Sequence, residues 1–154
     1  MKICGIDPGL NGAMCVLDSN DLSHIALLDL KTQSIYDSAK WLFNHKPDEV
    51  WLEDVHSLYG MSAKSNFGFG KNLGIAASIA SIALEGKQYN RVTPKVWQKY
   101  TGITVKGKEI KQQVGTIVRA WYPSAQIFGS RGGLLDGRAD SILIAHYGLY
   151  CKDK

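Results

Sequence analysis

Residues 2–12, KICGIDPGLNG, constrain this chain more than any other stretch. Residues 2–6 are mostly apolar and suit a strand buried on at least one face. Asp7 ends the run, and Pro8-Gly9 stops pairing at once. Pro8 lacks a backbone donor and Gly9 admits positive φ, so a turn here has a mechanism. A second apolar run, residues 13–17, follows and closes a hairpin with a carboxylate at its mouth. Aspartate is a poor strand former and costly to bury unpaired. Asp7 is therefore either the cap of its own turn or a metal ligand on a rigid strand.

The rest of the chain alternates strand and helix signals. Residues 23–30 read as a third strand. Thr32 or Ser34 offers a cap for a helix over 35–46, with Ile35, Ala39, Leu42 and Phe43 on one side. Pro47-Asp48 breaks it, and residues 49–53 form a fourth strand that again ends on acid, Glu53. Residues 55–66 read as a loop. A long helix is expected over 67–84, rich in small residues (Gly68, Gly70, Gly74, Ala76, Ala80) that allow close packing in the core or against another subunit. A short strand over 89–92 precedes Thr93-Pro94, a cap followed by proline at the first helical position. Helices are expected over 95–100, 108–121 and 137–150, with a Gly-rich, mobile segment at 124–135. This order indicates α/β with a mixed sheet: a leading antiparallel meander, then strands that arrive through helical crossovers and run parallel to the first.

At 154 residues the length prior gives one domain, 1–154. No apolar run is long enough to cross a bilayer, and the first residues enter a strand with no signal-peptide pattern. Cys4, Cys15 and Cys151 match no zinc spacing and read as reduced, packed thiols, which places the chain in a reducing, cytoplasmic compartment. Charge is uneven. Residues 1–86 hold six Lys/Arg against ten Asp/Glu, whereas residues 87–119 hold eight Lys/Arg against Glu109 alone. Such a basic block is either a solvated helical face or a seat for a polyanion beside the acidic half.

Near the C-terminus, Asp136 and Asp140 stand four residues apart. If the helix starts at or before Asp136, both carboxylates lie on one face, one turn apart. Asp140 leads into the apolar run Ile142-Leu143-Ile144-Ala145, where an acid is expensive unless paired or metal-bound. The plainer alternative makes Asp136 an N-cap and pairs Asp140 with Arg138 or another base. Taken with Asp7 and Glu53, the set is one of hard oxygen ligands, suited to Mg²⁺ or Mn²⁺. Two such ions ~3.5–4 Å apart activate water and stabilise the leaving oxygen of a phosphodiester.

Gly5-Ile6-Asp7-Pro8-Gly9, Glu53, the Thr93-Pro94-Lys95 stretch with residues 102–111, and Asp136-Gly137-Arg138-Ala139-Asp140-Ser141 resemble the RuvC family of Holliday-junction resolvases, in order and spacing over essentially the whole chain. The chain looks most like a phage-encoded member, of the kind carried by phages of lactic acid bacteria. The resemblance implies an RNase H-like fold with a five-stranded mixed sheet flanked by helices. It also implies a homodimer and Mg²⁺-dependent nicking of two like-polarity strands of a four-way DNA junction, with forks and flaps as further candidate substrates. By position, Asp7, Glu53 and Asp140 match the family's metal-binding acids, and Lys108 and Lys111 its basic residues near the scissile phosphate. One departure stands out. The family's remaining ligand lies three residues before the last Asp; here that position is Gly137, and the acid is Asp136.

Lys95, Lys99 and Lys106 join Lys108 and Lys111 as candidate DNA contacts. Tyr59, in the loop where such enzymes present a wedge to the junction, is a candidate for stacking on a base, worth ~1–3 kcal/mol. His56 is close enough to Glu53 in sequence to hold a phosphate. Phe67, Phe69, Trp97 and Tyr100 read as helix-core residues, and His24, His45 and His146 as structural. Two other functions compete. One is a non-cleaving branched-DNA-binding protein on the same fold, supported by the shifted Asp136. The other is an actin-like phosphotransferase, which needs a second domain and a second phosphate loop. A branch-migration motor is neither required nor excluded.

Overall fold

A computed structural model of the chain describes residues 1–55 and 60–151. These form β1 (Lys2–Ile6), β2 (Ala13–Asp18), β3 (Asp21–Asp29), α1 (Ile35–His45), β4 (Glu49–Glu53), α2 (Ala63–Ala83), β5 (Asn90–Val92), α3 (Pro94–Tyr100), α4 (Glu109–Trp121) and α5 (Asp136–Tyr150). The strands make one sheet in the order β3-β2-β1-β4-β5. β1, β2 and β3 pair antiparallel; β4 runs parallel to β1, and β5 parallel to β4. The mixed sheet expected from the element order is the one observed.

Strand alternation sends successive side chains to opposite faces. Ile3, Cys15 and Leu17 face a core made with Trp97 of α3, Val114 and Val118 of α4, and Ile142, Leu143, Ile144 and Ala145 of α5. Cys4, Ile6, Met14, Val50 and Leu52 face the other core, made with Ala39 and Leu42 of α1 and Ala76, Ile79, Ala80 and Ala83 of α2. α5 meets the sheet with unusual closeness. A Cβ built on Gly5 would stand 2.2 Å from the Ser141 carbonyl oxygen, and one on Gly148 would stand 2.4 Å from the Trp51 ring. The helix backbone therefore lies directly over β1 and β4.

Several expectations need correction. α2 starts at Ala63 rather than 67, because Ser62 caps it by accepting from the Ser65 amide. Phe67 is not core; it is 76 % exposed, while Phe69 is partly buried. Ser34, not Thr32, caps α1. Thr93 precedes α3 without a side-chain cap bond. The segment expected to be mobile is tied down: the Gly129 amide donates to Gly133 O, the Leu135 amide donates to Ile127 O, and Ile127 is buried. Glycines let the chain turn tightly there rather than leaving it loose.

Cys4 and Cys15 are buried free thiols, and burial pushes both up from the ordinary thiol value. His146 is packed between Trp121 and Tyr150 with Nδ1 2.7 Å from the Tyr122 hydroxyl, and burial lowers it to about 4. Trp97 is 1 % exposed, as a core residue should be, and Tyr100 donates to Tyr150 O. His45 contacts Trp41 O, whereas His24 lies exposed on β3. Among the described residues no helix is long and apolar enough to cross a membrane.

A candidate carboxylate site at the sheet's carboxyl edge

β1 and β4 are parallel neighbours with Ile6 opposite Leu52. One residue further on, Asp7 and Glu53 leave adjacent strands at the same edge. Ile6 and Leu52 point into the α1/α2 core, so alternation turns Asp7 and Glu53 toward α5. Each is 9 % exposed. Asp7 does cap its own turn, but with one oxygen: Oδ1 accepts from the Gly9 amide at 2.8 Å. The two readings of Asp7 are thus compatible. Glu53 is likewise held by one oxygen, Oε1, which accepts from the Trp97 indole N–H at 2.8 Å.

α5 supplies the opposite wall. It begins at Asp136, one residue before the expected start, so Asp136 and Asp140 share a helical face. Arg138 does not neutralise Asp140. Its guanidinium binds Asp29 at the end of β3 through two bonds of 2.7 Å and also donates to Gln126 O. Gly137 explains why the acid sits at 136. A Cβ at 137 would stand 2.0 Å from the Asn11 carbonyl oxygen, so the β1–β2 turn leaves no room for a side chain there. Asp136 points elsewhere and accepts from the Lys111 ammonium of α4.

The electrostatics show that these groups sense one another. Burial raises Asp7 to about 6, opposed by the Gly9 amide, with Asp136 raising it further. Burial raises Glu53 to about 7, with Asp7 adding to it and the Trp97 bond opposing. Asp140, half-buried, is pushed well above the ordinary carboxylate value by burial and by Asp7, Glu53 and Asp136. Lys111 is raised, chiefly by its bond to Asp136. Asp136, Asp140 and Asp7 thus act on one ammonium, Lys111, and the repulsion among these acids and Glu53 marks surplus negative charge. Among the described residues no three His, Cys, Asp or Glu side chains stand as a finished metal cage. The donor chemistry nevertheless fits a hard divalent ion: all oxygen, surplus anionic, with one oxygen each of Asp7 and Glu53 already anchored.

The other candidate residues divide. Lys108 sits immediately before α4, Lys106 just ahead of the turn that leads into it, and Lys95 and Lys99 on α3; all four are exposed. None of them enters the carboxylate cluster as Lys111 does. Tyr59 and His56 lie outside the described residues. Sequence reasoning missed the role of Trp97 and the Arg138–Asp29 fork. A buried indole N–H requires a partner, which was the available signal.

No family model matches the sequence, and no curated protein matches it. Solved structures do. T. thermophilus RuvC in complex with a Holliday junction substrate aligns with 99% of this chain and 96% of its own, at TM-score 0.64 and 16% identity. A second Thermus thermophilus RuvC structure gives TM-score 0.62 at 17% identity over the same shares. The Fowlpox virus resolvase, in complex with its Holliday junction DNA substrate, gives 0.54 at 17% over 100% of both chains. Likeness at such identities establishes the fold: α/β and RNase H-like, a five-stranded mixed sheet with flanking helices.

Proposed function

We propose that this chain is a structure-selective DNA endonuclease, phage-encoded and active in the host cytoplasm. It binds four-way junctions and other branched DNA and resolves them by paired nicking of like-polarity strands. The observation that carries the reading is the meeting of Asp7, Glu53, Asp136 and Asp140 at one sheet edge. It occurs on a fold shared with RuvC and a poxvirus resolvase, both solved with Holliday junctions.

Asp7, Glu53 and Asp140, with Asp136, would hold Mg²⁺, and Mn²⁺ in its place. When bound, such ions polarise the scissile phosphate and make water a nucleophile near neutral pH. The chain's own part is placement. The Gly9 amide and the Trp97 indole fix one oxygen each of Asp7 and Glu53. Lys108 and Lys111 offset charge developing on the phosphate. Lys95, Lys99 and Lys106 hold the backbone, so binding falls steeply with salt. Tyr59 enters the junction centre by stacking. A homodimer delivers two nicks related by a two-fold axis. In support, Gly68, Gly70 and Gly74 leave open space along α2, beside exposed Phe67.

The second reading, a non-cleaving junction binder, draws on Gly137 and on Lys111 occupying Asp136. A labelled four-way junction incubated with Mg²⁺ separates the two. Symmetric nicks that vanish in Asp7→Asn, with junction binding retained, are expected. Intact junctions under every divalent ion tried would leave the binder.

A further inference from the structure

The β1–β2 turn, the end of β3 and the start of α5 border an open cavity of about 330 Å³. That lies at the lower end of ligand cavities, about 300–1,000 Å³. Its walls include Asn11, Lys31, Thr32, Leu134, Leu135 and Asp136. Asp136 belongs to the carboxylate cluster as well, so the cavity opens beside the proposed scissile phosphate. Its walls are set by rigid contacts. Gly137 lets α5 touch the turn, and the Arg138–Asp29 fork ties α5 to the end of β3.

Charge in the cavity is informative. Both lining acids are engaged by cations, Asp29 by Arg138 and Asp136 by Lys111. Lys31 is held more weakly, by a 3.4 Å bond to Asn11 Oδ1. Lys31 is therefore the lining cation not committed to a carboxylate, with apolar leucines at one wall and an amide at another. That combination suits one phosphate, one base face and one base edge.

We propose that this cavity seats a nucleotide of the cleaved strand, next to the scissile phosphate, and sets base preference at the nick. The proposal rests on the junction-nuclease reading. Lys31 binds the nucleotide's phosphate, Leu134 and Leu135 pack on its base, and Asn11 meets the base edge. Phosphate contacts position a strand, and base contacts specify it.

Junctions carrying 5-iododeoxyuridine at each position near the crossover test this by photocrosslinking to the full-length protein. Label is expected on the peptides holding Asn11, Lys31 or Leu135, from one position beside the crossover. Lys31→Ala should reduce the salt slope of junction binding by about one, uniformly across sequences. Asn11→Ala should flatten base preference at that position while leaving the salt slope alone. Label confined to other peptides, with both variants keeping the wild-type slope and preference, would overturn the proposal. The two readings fail separately. Nicking without cavity label removes the cavity alone; cavity label from a junction that is never nicked removes the nuclease and keeps the nucleotide seat.

Discussion

The two faces of the sheet are built on different principles. On the α1/α2 face, alanines and leucines fill volume against Cys4, Ile6, Val50 and Leu52. The buried polar atom without a partner among the described residues, Ser38 Oγ, sits there and is neutral. On the α5 face, three glycines bring helix backbone onto strand and turn, and buried acids repel one another above it. One face buries area, which tolerates exchange of side chains of similar volume. The other fixes positions, and there a single methyl group has nowhere to go. The difference teaches where this fold spends stability on geometry.

The sharpest break in that comparison is Gly5→Ala. The new Cβ would meet the Ser141 carbonyl and the Ala145 nitrogen at 2.2 and 2.4 Å, both backbone atoms. Only displacement of the whole helix relieves it, so the loss should reach about 3 kcal/mol, the upper range for overpacking. Thermal unfolding should drop by roughly 6–12 °C. Junction nicking should fall further than the unfolded fraction explains, because Asp140 moves away from Asp7. An unchanged melting temperature would show that the faces do not differ as described.

Next in size is pH. Asp7 and Glu53 titrate at about 6 and about 7 in the folded chain, and Asp140 is raised too. Their unfolded values lie near 4. The folded state therefore binds more protons across that interval, and stability falls as pH rises from about 4 to about 7. In EDTA, Asp7→Asn should melt higher than wild type at pH 7.5, by on the order of 2 kcal/mol, and match it at pH 4. Its side-chain oxygen can still accept from Gly9, so the turn survives. Mg²⁺ should raise the wild type at pH 7.5 and erase the variant's advantage. Equal melting of the two proteins at every pH would mean the acids do not repel.

Much of this was legible in the sequence, for identifiable reasons. Asp7 and Glu53 each end an apolar run, Asp7 ahead of Pro8-Gly9 and Glu53 ahead of a second acid, Asp54, so strand ends and acids coincide. The spacing of Asp136 and Asp140 required only the helix period. What stayed hidden depended on contacts across the fold. Nothing local says that Arg138 turns to Asp29, 109 residues away, rather than to its neighbour Asp140. Gly-rich residues 124–135 look loose until their internal bonds are seen. Phe67 fits a helix period but faces outward, because periodicity gives a face and not its partner.

Trp97 tests the positional face from below. Trp97→Phe keeps an aromatic ring in the core and removes the N–H that holds Glu53 Oε1. Loss of a residue that orients a ligand typically costs about 10–100-fold in metal affinity or activity. Mn²⁺ binding followed by electron paramagnetic resonance should weaken by that factor while the melting temperature of the EDTA-treated protein moves only slightly. Weakened folding with unchanged Mn²⁺ affinity would reduce Trp97 to packing.

The smallest effect should come from the α2 side, and it has the opposite sign. A Cβ at Gly74 meets nothing within 4 Å, and the residue lies mid-helix. Gly74→Ala should therefore stabilise the monomer by up to about 1 kcal/mol, through helix propensity alone. Gly5 and Gly74 then become a matched pair, the same substitution with opposite outcomes on opposite faces. The open space at Gly74 also has a second explanation, that another copy of the chain closes against it. Sedimentation of wild type and Gly74→Ala separates the two. If α2 pairs with α2, the added methyl should loosen the dimer even as it raises the monomer's melting temperature. If the dimer is unaffected, the glycines on this helix have no role in association, and the two-fold arrangement must be built from another surface.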